Sequence, residues 1–268
     1  LLPNAVYSLD ALTESPTWSG NGWSTMLSGV THLKHGVTDN SFSTPNFGTY
    51  PSFLKRLETY NGALRTMSIV HWAPINTYIV DGIDMEKTLT ADAAVKNEAV
   101  SALSADNPDA LFLHFDDVDH AGHSYGFSIN VPQYKAAVET TDGYIGEILT
   151  ALKNRPNYAN EDWLVIVAPD HGGAGSSHGG SSYEERNIFT IYHNKNFTSS
   201  KIERPVDPAV SITGKFASFN ANTVYASASN ALYNFGNSSF TIECRVKTSG
   251  YSSDPSLVSN KNWASGKN

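Results

Sequence analysis

The residues able to do chemistry in this chain stand at the ends of apolar runs. Residues 163–168 lead through Pro169 into Asp170 and His171, then into the glycine-rich stretch 172–180, which contains His178. Asp oxygen and His nitrogen are ordinary zinc ligands, and glycine lets a backbone turn sharply and approach an ion closely. A second apolar run, 111–115, ends in Asp116-Asp117-Val118-Asp119-His120-Ala121-Gly122-His123. Adjacent carboxylates repel one another unless a cation or solvent separates them. In open α/β sheets, ligands gather at the carboxyl ends of strands, so both runs put metal-ligand chemistry where such sites form. A solvated loop accounts for Asp116 and Asp117, but less well for the clustered histidines. A third stretch sets the hydroxyl of Ser19 before Gly20-Asn21-Gly22 and a helical run. That pattern suits a nucleophile at a helix N-terminus, where backbone amides favour an anion. It suits an N-capping serine as well.

These residues need a scaffold, and the periodicity supplies one. Helices are expected over 51–60, from a Thr90 cap to about residue 103, and over 132–153, where Pro132 fits the first turn. In the last of these, Tyr134, Val138, Thr141, Ile145, Ile148, Leu149 and Leu152 form a stripe at helical spacing, read as core. Strands are expected over 66–72, 110–115, 163–168 and 187–193. The passage 6–10 reads as helix or loop. Alternating helices and strands predict an α/β fold, a mostly parallel sheet sandwiched by helices. Past residue 194 a polar, Pro-containing linker gives way to β-patterned runs at 216–219, 223–225 and 240–246. Residues 1–200 are thus expected to form one domain and 207–268 part of a β-sandwich, since a whole sandwich needs ~100 residues.

Composition narrows the function. A formal charge of −8 argues against a nucleic-acid duplex as partner, though not against a small anion held by metal ions. No apolar run has the length of a transmembrane segment. The single cysteine, Cys244, permits no internal disulfide and fits a buried strand position.

The three motif segments together resemble the alkaline phosphatase superfamily, in particular its type I phosphodiesterase/nucleotide pyrophosphatase branch. Ser28-Gly29, His35-Gly36 and Asp39-Asn40 match the family's N-terminal pattern, Asp119-His120-Ala121-Gly122-His123 its Asp-x-x-Gly-His element, Asp170-His171-Gly172 its Asp-His-Gly element and His178-Gly179 its later His-Gly. The resemblance covers residues 1–193. It implies a hydrolase of phosphoric esters with two Zn²⁺, one held by Asp119, His123 and His178, the other by Asp170 and His171. Ser19 is then the nucleophile facing the second ion, and Asn40 binds substrate. The family's remaining aspartate ligand lies on a first strand that is not in this sequence, and Asp10 is not given its role. Residues 239–247 resemble the start of a laminin-G/concanavalin-like domain, which implies a secreted bacterial enzyme, periplasmic or extracellular, with glycan or surface contact through that domain.

The expected substrate is a small phosphorylated molecule: a nucleotide, a lipid head group or a glycan phosphate. A phosphomonoesterase is the near alternative. The absence of Lys or Arg from the motifs tilts the reading to diesters, and no Pro-x-Arg follows Ser19 as in sulfatases. A catalytically silent glycan- or surface-binding protein is the alternative of a different class. Thr17 is the alternative nucleophile, with a turn hydroxyl as its plainer role. His32, His71 and His193 read as strand or surface residues, and His114 as pointing to a helix layer. Trp18, Trp23 and Tyr125 line either a pocket or the core.

Overall fold

The architecture comes from a computed structural model that describes residues 1–204. The expected strands of 207–268, and Cys244 with them, lie outside the described residues. The strands are β1 (Ala5–Leu12), β2 (Thr66–Val70), β3 (Met85–Thr88), β4 (Ala110–His114), β5 (Val165–Val167), β6 (Asn187–His193) and β7 (Ser200–Lys201). The helices are α1 (Ser19–Ser28), α2 (His32–His35), α3 (Phe53–Tyr60), α4 (Asp92–Ala105), α5 (Asp117–Tyr125), α6 (Pro132–Lys153) and α7 (Tyr183–Arg186).

The sheet is mostly parallel and flanked by helices. β2 pairs in parallel with β3 on one side and β4 on the other. All five of its residues are buried, as expected of a strand covered on both faces. Met67 and Ile69 face one layer, with Val95, Ala99 and Ala102 of α4 and Ile148 and Leu152 of α6. Val70 faces the other, with Trp23 and Leu27 of α1 and Leu54 of α3. Ile69 is fully buried, so its truncation to Ala costs about 2–5 kcal/mol. The remaining strands hydrogen-bond as a separate four-stranded sheet in the order β5-β6-β1-β7, with β6 antiparallel to β1 and β5, and β7 parallel to β1.

Several sequence expectations need correction. Residues 6–10 are strand, not helix or loop: β1 is paired on one side with β6 and on the other with β7. Its Asp10 accepts from the Ser8 hydroxyl and the Arg204 amide. The passage after residue 194 contains β7, paired to β1. The α6 stripe is core only at its C-terminal half. Ile148 and Leu152 are buried, while Val138 is 43% exposed, because α4 covers only part of the longer helix. Ala91, not Thr90, is the N-cap of α4.

Candidate metal centre

Four elements carry the polar cluster. β4 runs into α5, which bears Asp119 and His123 four residues apart on one face. β5 runs into Asp170 and His171, and the glycine loop beyond it carries His178. Ser19 opens α1 behind Trp18, its N-cap. The Ser19 Oγ lies 3.2 Å from His171 Nε2, and that nitrogen lies 3.3 Å from Asp170 Oδ2. Asp119 reaches His178 Nε2 with Oδ1 at 3.5 Å and His123 Nε2 with Oδ2 at 3.3 Å. The His171 and His178 rings stack with centroids 3.8 Å apart. Asp119, His171 and His178 each offer a ligand atom within 4.8 Å of the other two.

The hydrogen bonds fix the chemistry of the imidazoles. His171 Nδ1 lies 2.8 Å from the Gly172 carbonyl, His178 Nδ1 2.9 Å from the Thr17 carbonyl and His123 Nδ1 3.0 Å from the Ser176 carbonyl. A carbonyl only accepts, so all three Nδ1 atoms carry the proton. Burial also holds His171 and His178 below the ordinary imidazole pKa, the neighbouring ring adding to the effect at His178. His171 and His178 then turn Nε2 lone pairs toward Asp170 and Asp119 oxygens. Asp119 Oδ1 and Asp170 Oδ2 are buried and have no hydrogen-bond partner. Burial, with Asp119 nearby, pushes Asp170 up to about 8. Lone pairs facing lone pairs in a buried site require a cation or a proton between them. Nδ1 anchored on a carbonyl with Nε2 presented inward is the arrangement that metal-bound histidines adopt. The donor set therefore fits zinc.

Close packing sets the positions of these groups. A Cβ on Gly22 would stand 2.9 Å from Asp170 Cβ, so only glycine lets α1 approach the carboxylate. The Phe127 ring fills the place of a Cβ at both Gly122 and Gly173. It packs edge-on against His123 and His178, at 5.3 and 6.1 Å. The glycine of Asp-x-x-Gly-His thus makes room for a ring that joins α5 to the 170s loop.

Asn40 stands beside the start of α1: its Oδ1 accepts from the Gly20 amide at 2.7 Å. That bond occupies the Gly20 amide, one of the helix-start donors expected to favour an anion, and leaves Nδ2 of Asn40 as the available donor. His35, fully buried, accepts from the Val37 amide through Nδ1 and pairs with Thr25 through Nε2, so the His35-Gly36 turn is a structural anchor. Thr17 is 1% exposed. Its Oγ1 accepts from the Gly179 amide at 3.0 Å and lies 3.2 Å from the Gly180 carbonyl and 3.4 Å from Glu185, which makes it a clamp on the His178 loop rather than an open hydroxyl. Trp18 is 40% exposed beside His178, Trp23 is buried against His114, and Tyr125 is exposed.

Sequence reasoning missed two buried carboxylates around the site. Glu185 accepts from the Gly180 and Ser182 amides, and the Ser182-x-x-Glu185 capping box was the available signal. Asp92 joins His71, which is neither a plain strand nor a surface residue: its Nδ1 lies 2.8 Å from the Asp92 carboxylate.

Solved structures with the same fold include a 2-O GAG sulfatase (16% identity, TM-score 0.53, covering 77% of this chain and 59% of that one). An alkaline phosphatase superfamily protein from Vibrio parahaemolyticus is 13% identical at TM-score 0.55, over 76% of this chain and 55% of the other. The chain thus spans well under two thirds of the length of these proteins. No curated protein matches the sequence significantly. The family model described as type I phosphodiesterase / nucleotide pyrophosphatase matches residues 51–232, more than half of the chain. The chain belongs to the type I phosphodiesterase / nucleotide pyrophosphatase family.

Proposed function

We propose that this protein hydrolyses phosphoric diesters with two zinc ions and a phosphoseryl intermediate at Ser19. One observation carries the reading: Ser19 Oγ, three inward-facing imidazole Nε2 atoms and two orphaned carboxylate oxygens meet, and among the described residues no Lys or Arg pairs with them. Asp119, His123 and His178 would hold one ion; Asp170 and His171 would hold the other, with Ser19 facing it. When bound, the pair supplies Lewis acidity at the phosphoryl oxygens and lowers the pKa of a coordinated hydroxyl.

The chain's own groups do the rest. Ser19 Oγ gives up its proton and forms the bond to phosphorus as the first alcohol leaves with a proton. Water then cleaves the Oγ–P bond, releasing the phosphoric monoester and restoring the hydroxyl. Asn40 Nδ2 donates to a nonbridging oxygen, its amide held in that sense by the Gly20 bond. Such a donor contributes most where the charge develops. Phe127 and the Thr17 clamp keep His123 and His178 in register with Ser19.

The same reading takes residues 1–200 as the hydrolase domain and 207–268 as a laminin-G-like module that meets glycan or a surface outside the cytoplasm. The resemblance of residues 239–247 supports this. Among the described residues no helix is long and apolar enough to cross a membrane. Diester substrates are favoured over monoesters because, among the described residues, the Ser19 hydroxyl bonds to His171 and to no Lys or Arg.

The test uses the full chain on a chromogenic phosphodiester, its monoester counterpart and a sulfate ester, with zinc and with chelator. The account expects zinc-dependent turnover, fastest on the diester and abolished in Ser19→Ala. Full activity in Ser19→Ala overturns the assigned nucleophile, and activity untouched by chelator overturns the metals.

A further inference from the structure

We propose that Asp92 is a positioning residue: its carboxylate caps α5 from a neighbouring helix and so holds Asp119 and His123 at the metal centre, with His71 steadying the carboxylate. The inference rests on the reading of Asp119 and His123 as metal ligands.

The first amides of a helix have no partner within it. An N-cap side chain normally takes one of them, but Asp116, the N-cap of α5, makes no such bond. Asp92 instead takes the amides of the N-cap residue itself and of the first helical residue. It is fully buried as the first residue of α4. Its Oδ1 accepts from the Asp116 amide at 2.8 Å and its Oδ2 from the Asp117 amide at 2.9 Å. A negative charge at a helix N-terminus is also favoured by the helix dipole.

A carboxylate removed from water needs strong donors. Two are these amides and the third is His71 Nδ1, 2.8 Å from Oδ1. His71 follows β2, and its own amide donates to the His114 carbonyl at the end of β4. α4 is fixed in the core by Val95, Ala99 and Ala102, all fully buried. One side chain therefore ties the rigid α4 to the exits of β2 and β4 at the point where the ligand helix begins.

The alternative for the same group is a cation held by His71, Asp92 and Asp117, whose ligand atoms lie within 4.8 Å of one another. The bonding favours the cap: both Asp92 oxygens already accept amide donors, and the Asp117 side chain is 51% exposed.

The experiment compares the parent with Asp92→Asn, which keeps the volume but replaces an acceptor by a donor, and with His71→Leu. Amide hydrogen exchange is measured on the metal-free full chain, and zinc affinity by competition with a chelator. In Asp92→Asn, α5 amides should exchange at least tenfold faster while α6 stays at parent rates, and zinc affinity should fall 10–100-fold, as when outer-shell support is lost. His71→Leu should move both readouts in the same direction by less. Exchange in α5 within twofold of the parent in Asp92→Asn overturns the proposal, as does equal acceleration in α5 and α6, which marks general destabilisation. A variant that does not fold leaves the decision to His71→Leu, where unchanged α5 exchange overturns it. A parent that binds no zinc refutes the metal reading instead, and the exchange data still decide the role of Asp92.

Discussion

Replacing Gly122 by Ala tests how the Phe127 wedge holds the site. Two effects oppose each other. Gly122 lies inside α5, where Ala is intrinsically better than Gly by about 0.8–1.0 kcal/mol. The added methyl, however, would overlap the Phe127 ring. A side chain at the edge of a loop could swing away from it. Phe127 has no such freedom, because the same ring also fills the space above Gly173 and packs edge-on against Tyr134 at 5.8 Å. Overpacking of this kind costs about 1–3 kcal/mol, so sterics outweigh propensity. Gly122→Ala should lose up to about 2 kcal/mol in a urea titration, and each kcal/mol lowers Tm by about 2–4 °C in a domain of this size. Because the ring supports His123 and His178, zinc affinity should fall in the same variant. Adding Phe127→Leu should recover part of the loss, with a coupling energy of about 0.5–3 kcal/mol between the two sites. A Gly122→Ala protein more stable than the parent by the full helix-propensity gain would refute the wedge.

Other substitutions separate the roles of neighbouring groups. Asn40→Asp keeps the acceptor for the Gly20 amide but removes the donor, so kcat/KM should fall about 10²–10³-fold with little change in Tm. Steady-state kinetics beside a melting curve checks this. Thr17→Val should cost about 1–2 kcal/mol through the lost hydroxyl bonds and retain measurable turnover, whereas Ser19→Ala should retain none; the reverse order would make Thr17 the nucleophile. In the metal-free protein the contribution of Asp170 to stability should fall as pH rises from about 4 to about 8, against the opposite contribution of the buried His114, His171 and His178, whose lowered pKa favours folding as pH rises toward about 6.5. Asp170 binds its proton up to about 8 in the folded state but near 3.8 when unfolded, so the folded state holds the extra proton across that window and rising pH favours unfolding. Asp170→Asn should remove that contribution, giving a higher Tm than the parent at pH 8 without metal, read by thermal melts across pH. It should also weaken zinc binding.

Much of this was legible in the sequence because the relevant signals are local. The helix Pro132–Lys153 and the strand Asn187–His193 have the bounds that periodicity predicted. The motif residues meet because strand ends bring Asp119 and Asp170 to one edge, a consequence of alternating helices and strands. Signals that depend on partners distant in sequence were not legible. Nothing near Gly122 announces Phe127 as the reason for glycine, and nothing near Asp92 shows that its carboxylate serves a helix that begins 25 residues later. β1 was misread because only its pairing with β6 and β7 makes residues 6–10 a strand. The Gly20 amide is closed to an anion by Asn40, 20 residues on, a partner that nothing near Gly20 announces.

The central claim is that two zinc ions sit between the imidazoles and carboxylates beside Ser19. A crystal of the zinc-loaded full chain, measured on both sides of the zinc absorption edge, tests it most directly. The account predicts two anomalous peaks, one within bonding distance of Asp119, His123 and His178, the other of Asp170, His171 and the Ser19 oxygen. Zinc found only elsewhere on the protein, or the Ser19 side chain turned away from both positions, would contradict it.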